Sequence, residues 1–331
     1  MDKIILQVND LTKHFNVPVP FRLSALFGQR QYKTLKAVDG VRFDVHARET
    51  LGLVGESGCG KTTIGRLILR AIDPTAGQIL FQDRPIERLT GKGLLDFRKH
   101  VQVVFQDPFL SLNPRMTVKR ILTEPLRVHR IVPQAEFADK TVALLSLVGM
   151  DPNLISCYPY ELSTGQRKRV AIARAIATNP TLLVADEAVS GLDVSVKAQI
   201  LNLLSDLQEA LGLTYLFISH DLAVVQFVCH KVAIMYLGKI VEFGSTKTIF
   251  ENPLHPYTTA LLKSIPKVRG IDEPPTPIHS PLHGEIPSPI DLPRGCRFQA
   301  RCPKRMAVCE ESEPPMAEAG PEQRVSCFLY A

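Results

Sequence analysis

The sequence predicts an α/β fold built around a parallel β-sheet, and three observations support this prediction. Short apolar strands alternate with helices, as in the strand–helix–strand pattern over residues 181–185, 194–211 and 214–219. The helix at 194–211 carries apolar residues along one face, which is typical of a helix that packs on a sheet. A glycine-rich turn also joins an apolar strand at 50–54 to a helix at 62–70.

Size and composition are those of a globular protein, because 331 residues with 45% hydrophobic and 22% charged content suffice for a packed core. A membrane-spanning helix needs roughly 18–20 apolar residues. The best candidate is the segment 213–238, but histidines and charged residues interrupt it. The first residues lack the apolar stretch of a secretory signal. We therefore expect a cytoplasmic chain that meets a membrane only through partners.

The net charge of +6 is dispersed along the chain, so we expect no nucleic-acid partner.

The elements between these landmarks follow from local patterns. Residues 4–8 and 38–45 have the pattern of strands, whereas 16–36 contains prolines and basic residues and is expected to be an irregular insertion. Between 107 and 170, prolines separate segments of helical spacing, which predicts a helical insertion. The pattern over 232–243 predicts a hairpin that turns at a glycine and a lysine.

The last part of the chain has a different composition. From about residue 266 onward, proline and cysteine dominate and the hydrophobic periodicity disappears, which predicts a domain boundary. We therefore expect a domain over residues 1–265, with the helical insertion at about 107–170, and a C-terminal extension over residues 266–331.

The strongest local signal is a phosphate-binding loop at residues 55–62, which read GESGCGKT and match G-x-x-x-x-G-K-[ST]. Its glycines let successive backbone N–H groups surround a phosphate chain, and the following helix presents its positive N-terminal end. We expect Lys61 to reach the β- and γ-phosphates and the Thr62 hydroxyl to bind Mg²⁺. The flanking strand and helix favour this interpretation over a chance glycine-rich turn. The candidate nucleotide-binding residues here are Gly55, Ser57, Gly58, Cys59, Gly60, Lys61, Thr62 and Thr63.

Two carboxylates end an apolar strand farther along the chain, where residues 182–187 read LLVADE. We expect Asp186 to hold magnesium and Glu187 to polarise the attacking water. An apolar strand that ends in Asp-Glu is common and often only structural. Its position downstream of a phosphate loop, on a parallel sheet, favours the catalytic interpretation.

Further motifs resemble those of the ABC ATPases, in the order in which that family has them. Residues 162–166 (LSTGQ) resemble the family signature LSGGQ, which stands just ahead of a helix. Gln106 resembles the glutamine of the loop that senses magnesium and touches the membrane subunits, and residues 190–193 (SGLD) resemble the D-loop. His220, at the end of a predicted strand, resembles the switch histidine near the γ-phosphate.

This resemblance covers about residues 1–265 and implies an ABC-type P-loop NTPase core: a RecA-like parallel sheet with an antiparallel β subdomain, plus a helical subdomain. It implies that two subunits pair head to tail, with each ATP between one phosphate loop and the other subunit's signature. ATP closes the pair, and hydrolysis opens it and moves transmembrane partners. The implied catalytic residues are Lys61, Glu187 and His220, and the implied magnesium ligands are Thr62, Gln106 and Asp186. The other implied ATP contacts are Phe15 as adenine platform, Asp193 of the D-loop, and the signature residues Ser163, Gly165 and Gln166, with Ser163 and Gly165 acting in trans.

The sequence departs from the family signature at Thr164, which stands where the family has a glycine. A β-branched side chain beside a turn that approaches phosphate is expected to weaken the site to which this chain donates its signature. Because the catalytic and magnesium-binding residues are all present, we still expect an active ATPase.

The end of the chain resembles one branch of this family. Residues 252–258 (NPLHPYT) and 284–289 (GEIPSP) resemble the dipeptide, oligopeptide and nickel importers, and 105–114 resembles their second ATPase. The resemblance implies a second, homologous ATPase subunit, two transmembrane permeases and an extracytoplasmic solute-binding protein as partners. It places this chain at the cytoplasmic face of the plasma membrane. In that architecture the binding protein and the permeases select the solute, so peptides, nickel chelates and other small solutes stay open.

Four of the seven cysteines lie in the C-terminal extension, and in a reducing cytosol such clustering favours a metal over disulfides. Their spacing, C-x5-C-x6-C-x17-C, lacks the C-x2-C pairs of common zinc sites, whereas four thiolates suit an iron–sulfur cluster. The importer branch can carry a four-iron cluster there. We expect a 4Fe–4S cluster, with zinc or free thiols as alternatives, at Cys296, Cys302, Cys309 and Cys327. The nearby arginines either offset the charge of such a cluster or form a solvated surface: Arg294, Arg297 and Arg301.

Two other functions stay open on the sequence. Soluble ABC ATPases of translation or DNA repair usually carry two cassettes in one chain or a long coiled-coil insertion, and this sequence has neither. A nucleotide-binding regulator with low turnover is suggested only by Thr164.

Overall fold

The computed structural model describes residues 3–18, 32–265, 287–320 and 322–331. In chain order its strands are β1 (Ile4–Pro18), β2 (Tyr32–His46), β3 (Thr50–Val54), β4 (Ala76–Phe81), β5 (Arg84–Pro85), β6 (Val101–Val104), β7 (Leu182–Asp186), β8 (Thr214–Ser219), β9 (Lys231–Tyr236), β10 (Lys239–Ser245), β11 (Ala317–Gly320) and β12 (Gln323–Val325). They form a four-stranded sheet in the order β2-β1-β4-β5 and an eight-stranded sheet in the order β11-β12-β10-β9-β3-β8-β7-β6.

The helices are, in chain order, α1 (Lys61–Ile68), α2 (Gly91–His100), α3 (Pro108–Ser111), α4 (Val118–Val128), α5 (Phe137–Leu147), α6 (Thr164–Ile176), α7 (Val194–Leu211), α8 (Leu222–Val228), α9 (Thr246–Glu251), α10 (Pro256–Lys263) and α11 (Val308–Glu311). Short 3₁₀ turns lie at Ile86–Arg88, Gln134–Glu136, Pro152–Ser156, Pro159–Glu161 and Gln299–Arg301. Within the described ranges, no helix has both the length and the apolar character needed to cross a bilayer.

The centre of the eight-stranded sheet is parallel, as predicted. Strands β9, β3, β8, β7 and β6 pair in parallel with one another. The two central strands, β3 and β8, are buried along their whole length, which explains why they read as continuous apolar runs. Because parallel strands end at the same edge, the residues that follow β3, β7 and β8 meet at the carboxyl edge of the sheet. The α/β prediction is confirmed.

The hairpin of β1 and β2 is longer than the sequence predicted. We expected strands only at 4–8 and 38–45, and an irregular insertion over 16–36. Instead β1 runs to Pro18 and β2 starts at Tyr32, so the prediction is wrong at both ends of that insertion. The cause is cross-strand pairing, which continues through Phe15 opposite Leu35 and overrides the local proline signal. The middle of the predicted insertion, residues 19–31, lies outside the described residues.

The predicted helical insertion consists of α3 to α6, which lie between β6 and β7. Its helices pack through apolar faces, and α4, α5 and α6 supply fully buried residues such as Leu122, Leu145 and Val170. Helix α6 continues to Ile176, beyond the end that the sequence suggested.

The C-terminal extension contains strands that the loss of periodicity did not predict. Strand β12 pairs with β10 at the edge of the large sheet, with Glu242 opposite Val325, and β11 follows outside it. The fully buried Glu242 carboxylate accepts bonds from the Leu254 and His255 N–H groups, at 2.9 and 3.0 Å, and from the Gln323 side chain, at 2.8 Å. The extension therefore shares one sheet with the strands that precede it in the chain. The expected boundary at residue 266 lies outside the described residues.

Candidate functional site

The phosphate loop lies between β3 and α1, where the sequence predicted it. Gly58 and Gly60 have φ angles of +80° and +111°. A Cβ on Gly60 would lie 2.2 Å from the Ala37 carbonyl oxygen, so only glycine fits there. The loop thus turns tightly before the start of α1, and a helix N-terminus of this kind favours the binding of phosphate oxygens.

The side chain of Lys61 folds back into the loop. It is only 5% exposed, and its Nζ donates to the carbonyl oxygens of Gly55 and Glu56, at 2.7 and 3.0 Å. A compact ammonium charge is therefore held within the concave turn, which is the placement that an incoming phosphate requires.

Thr62 and Asp186 meet across the carboxyl edge of the sheet. The Thr62 hydroxyl donates to Asp186 Oδ1 at 3.4 Å, which links the start of α1 to the end of β7. Burial raises the pKa of the Asp186 carboxyl above its usual range, and the adjacent Glu187 carboxylate raises it further. Oxygen ligands from a hydroxyl and a partly buried carboxylate match the preference of Mg²⁺, so these residues fit that ion.

Glu187 follows β7 in a left-handed backbone conformation, with φ +48°. Such a conformation costs a non-glycine residue about 1–2 kcal/mol, and strain of this kind clusters at functional sites. Its N–H donates to the Ile218 carbonyl at 2.9 Å, which anchors the turn to β8. Its Oε1 lies 3.2 Å from His220 Nδ1, so the structure brings together the predicted water-polarising carboxylate and the predicted switch histidine.

The signature residues start helix α6. The Ser163 side chain accepts from the Gln166 N–H at 3.2 Å, and the Gln166 side chain accepts from the Ser163 N–H at 2.9 Å, which forms a capping box. Ser163 and Thr164 are exposed, and the Thr164 hydroxyl accepts from Arg167 at 3.1 Å. Thr164 therefore leaves the helix start intact. A Cβ on Gly165 would meet Val196 of α7 at 3.1 Å.

The remaining predicted contacts lie on three different elements. Gln106 is exposed just after β6, and Asp193 is the N-cap residue of α7. Phe15 is half-buried in β1, with the Lys13 ammonium 5.1 Å from its ring centre. The roles of these residues towards ATP stay predictions.

A buried lysine that the sequence analysis missed connects the signature helix to the glutamine loop. Lys168 is fully buried in α6, and its Nζ donates to the carbonyl oxygens of Phe105 and Gln106, at 2.8 and 3.0 Å. Burial lowers the pKa of this lysine to about 8. Nothing in its spacing distinguishes Lys168 from the surface lysines and arginines around it.

A second group that the sequence analysis missed, from α10 and from the extension, holds the phosphate loop. The Tyr257 hydroxyl accepts from the Glu56 N–H at 3.0 Å. Arg301 binds both carboxylate oxygens of Glu56, at 2.7 and 3.0 Å. Glu56 and Arg301 stand 245 positions apart, so no spacing rule connects them.

The four cysteines of the extension do not form a metal site as the structure places them. In the part of the chain that is described, no group of three or more histidine, cysteine or acidic residues is placed to hold a metal ion. Burial raises the pKa of the Cys296 thiol to about 11. Arg297 pairs with Asp39 and Arg301 pairs with Glu56, and both guanidinium side chains are buried, so the alternative of a solvated basic surface is wrong for these two arginines.

These contacts together define the class of protein. A phosphate loop, a threonine–aspartate contact and a glutamate–histidine pair lie on one edge of a parallel sheet, which is the arrangement of a P-loop nucleoside triphosphatase.

Comparison with known proteins places the chain within that class. Residues 38–190 match the family described as ABC transporter, and residues 241–309 match the oligopeptide/dipeptide transporter C-terminal region. The oligopeptide transport ATP-binding protein AppF of Bacillus subtilis is 48% identical, over 99% of this chain and 98% of AppF. Among solved structures, cbiO1 of Clostridium perfringens, part of an ABC transporter complex, has a TM-score of 0.63 at 28% identity, over 76% of this chain and 92% of cbiO1. The chain belongs to the ABC transporter family, as an ATPase subunit of its oligopeptide/dipeptide branch.

Proposed function

We propose that this chain binds and hydrolyses Mg·ATP to power an importer of peptides or related small solutes. The observation that carries the hydrolytic part is the sheet edge where Glu187 faces His220 beside the Thr62–Asp186 contact. The similarity to AppF over nearly the whole length of both chains supports the transport part. Residues 1–265 form the ATPase domain in this proposal, and residues 266–331 form the extension.

In this proposal the phosphate loop binds the triphosphate through its backbone N–H groups and the Lys61 ammonium. Glu187 accepts a proton from the attacking water, because its carboxylate projects from the strand end on a fixed turn. His220 holds Glu187 in place through their 3.2 Å contact and contributes a donor near the γ-phosphate. Phe15 stacks on adenine.

Magnesium would be held by Thr62, Asp186 and Gln106, and it supplies neutralisation of charge on the β- and γ-phosphates when bound. The raised pKa of Asp186 supports this assignment, since a buried carboxylate beside Glu187 gains from a nearby cation.

The signature acts on a second nucleotide in this proposal. Ser163, Gly165 and Gln166 face the ATP of a paired subunit, and the exposed position of Ser163 at the start of α6 supports this assignment. Asp193, at the start of α7, lies at the same interface. We propose a different, homologous ATPase as the paired subunit, together with two permeases and an extracytoplasmic binding protein that selects the solute.

The first test is purification of the chain in mild detergent from its native membranes, with identification of the proteins that accompany it. We expect two multi-spanning permeases and a second ATPase. Recovery of ribosomal or DNA-repair proteins without a permease would contradict the importer and favour a soluble ABC ATPase.

We further propose that the four extension cysteines bind a metal centre, a 4Fe–4S cluster or zinc. Burial raises the pKa of the Cys296, Cys302 and Cys327 thiols, whereas the backbone amides of Phe298, Lys304 and Leu329 act to lower it, and this lowering favours the thiolate form that binds metal. The thiol groups would have to approach one another from their present positions. Anaerobic purification with iron, sulfide and zinc analysis tests this proposal, and a protein free of all three would refute it.

A further inference from the structure

The C-terminal extension contacts the phosphate loop directly, at a residue that the loop motif leaves unspecified. Arg301 forms a two-pronged ion pair with the Glu56 carboxylate, at 2.7 and 3.0 Å. The Arg301 side chain is 4% exposed and that of Glu56 is 20% exposed. Water therefore screens this pair poorly, and the loss of either partner leaves a charge that is costly to hold.

Glu56 is held from three directions at once. Arg301 binds the Glu56 carboxylate, and the Tyr257 hydroxyl accepts a hydrogen bond from the Glu56 N–H. Lys61 donates to the Glu56 carbonyl oxygen. Lys61 is the residue that we expect to reach the phosphates. A change in the position of the Glu56 carbonyl oxygen would therefore change the position of the Lys61 ammonium group.

The extension also supplies part of the surface on which the loop rests. Phe298 is 1% exposed and packs against Tyr236 and Tyr257, with ring centres 5.3 and 5.4 Å apart. The Arg301 guanidinium lies 5.8 Å from the Tyr236 ring centre. One cluster therefore joins the end of β9, the start of α10 and the extension beneath the loop.

We propose that Arg301 is a positioning residue for the phosphate loop, through which the C-terminal extension sets the affinity of the site for nucleoside triphosphate. The inference rests on nucleotide binding at that loop, as proposed above. Arg301 fixes the Glu56 side chain and neutralises its carboxylate. Without the guanidinium, a poorly screened negative charge lies on the loop that has to accept a polyanionic triphosphate.

The test is equilibrium binding of a fluorescent ATP analogue with Mg²⁺ to the purified full chain. The variants are Arg301→Gln, Glu56→Gln and the double variant. The matched control is Arg305→Gln, which removes an extension arginine whose ion pair, with Glu310 at 3.2 Å, lies within the extension. Thermal unfolding of each variant reports whether it folds.

We expect Arg301→Gln to weaken binding at least about tenfold, which corresponds to 1.4 kcal/mol. Glu56→Gln should weaken it only about threefold, and the double variant should bind like Glu56→Gln, because the unpaired charge is gone. In hydrolysis assays, Arg301→Gln should raise KM for ATP while kcat stays within about twofold, since the guanidinium does not touch the reacting atoms. A purely structural role would not give recovery in the double variant.

Unchanged binding by Arg301→Gln, or a double variant weaker than Arg301→Gln, would overturn the inference. If Arg301→Gln does not fold, Arg301→Lys decides: it keeps the charge but loses the two-pronged geometry, so about threefold weaker binding supports the inference and unchanged binding refutes it. Failure of the wild type and Arg305→Gln to bind would instead refute the proposed function.

Discussion

The carboxyl edge of the large sheet, where we propose that the nucleotide binds and which we call the nucleotide edge, and the C-terminal extension hold their side chains in different ways. At the edge, Asp186 ends a buried parallel strand and Glu187 follows it, so backbone hydrogen bonds fix both. In the extension, Phe298 and Arg301 lie in or beside a short 3₁₀ turn, and contacts with distant side chains hold them. We infer that side chains at the edge are replaceable without loss of the fold, whereas the extension depends on individual contacts.

The largest expected effect is at the nucleotide edge. Glu187→Gln removes the proton acceptor but keeps its size, so we expect turnover to fall about 10²–10⁴-fold, the usual contribution of a general base. Nucleotide binding and the unfolding temperature should stay near those of the wild type, because the strand and not the carboxylate fixes the backbone. Steady-state hydrolysis by the assembled complex is the measurement.

The matched control for this substitution is Glu209→Gln, at the far end of α7, where the side chain is exposed. We expect its turnover to equal that of the wild type. Glu187→Gln with near-normal turnover would show that another group accepts the proton.

The nucleotide edge could be predicted because each of its features is local. The phosphate loop, the strand at 50–54, the helix at 194–211 and the strand at 214–219 were predicted with the bounds that the structure has. A parallel sheet brings strand ends together whatever the loops between them do, so Glu187 and His220 were predictable as neighbours.

The extension could not be predicted in the same way, because its contacts span the chain. Strand β12 has only three residues and exists because β10 offers a free edge. The pairing of Glu56 with Arg301 depends on the path of the whole chain, and the sequence indicated only a basic residue near cysteines. The β1–β2 hairpin is longer than the local sequence pattern predicted for the same reason, because its pairing depends on contacts between residues that are distant in the chain.

In the extension, Phe298→Ala should have the next largest effect. Truncation of a phenylalanine buried among aromatic rings costs about 3–5 kcal/mol in well-packed cores, and Phe298 packs against Tyr236, Tyr257 and His255. We expect lower stability and faster protease cleavage within the extension. Denaturant unfolding and timed proteolysis measure the two effects.

Phe227→Ala is the matched control, because that ring is 65% exposed. Its effect should stay within about 0.5 kcal/mol, as for most surface substitutions. If both variants lose the same stability, the extension is not held by the Phe298 cluster.

A contact between the helical insertion and the residues just after β6 should give a smaller effect, and one that depends on pH. Lys168→Met leaves the Phe105 and Gln106 carbonyl oxygens without their donor, so we expect a loss of about 1–3 kcal/mol. Burial lowers the pKa of Lys168 to about 8 in the folded state, against 10.5 for the free side chain. Between these values the unfolded chain binds a proton that the folded chain has released, so stability rises with pH.

The stability of the wild type relative to Lys168→Met should therefore increase between about pH 8 and 10.5, the interval set by the two pKa values of this lysine. Denaturant unfolding of both proteins across that range measures the difference, and groups common to both cancel. A difference that is flat or falls with pH would mean that Lys168 keeps its proton in the folded state.

The smallest expected effect is at the signature, which belongs to neither region of the comparison. Thr164 is exposed, and its hydroxyl accepts from Arg167 at 3.1 Å, in a helix start that Ser163 caps independently. Thr164→Gly should cost at most about 1 kcal/mol of stability, the usual penalty of glycine in a helix. If the β-branch hinders approach to the partner's phosphate, the turnover of the assembled pair should rise about two- to threefold, or roughly half a kcal/mol of barrier.

Thr164→Ala separates the two contributions, because it removes the branch and the hydroxyl but keeps a good helix former. An alanine variant that also turns over faster would identify the branched side chain as the hindrance. A lower turnover in both variants would show instead that the threonine hydroxyl contributes to the site formed with the partner, and that this signature is adapted rather than weakened.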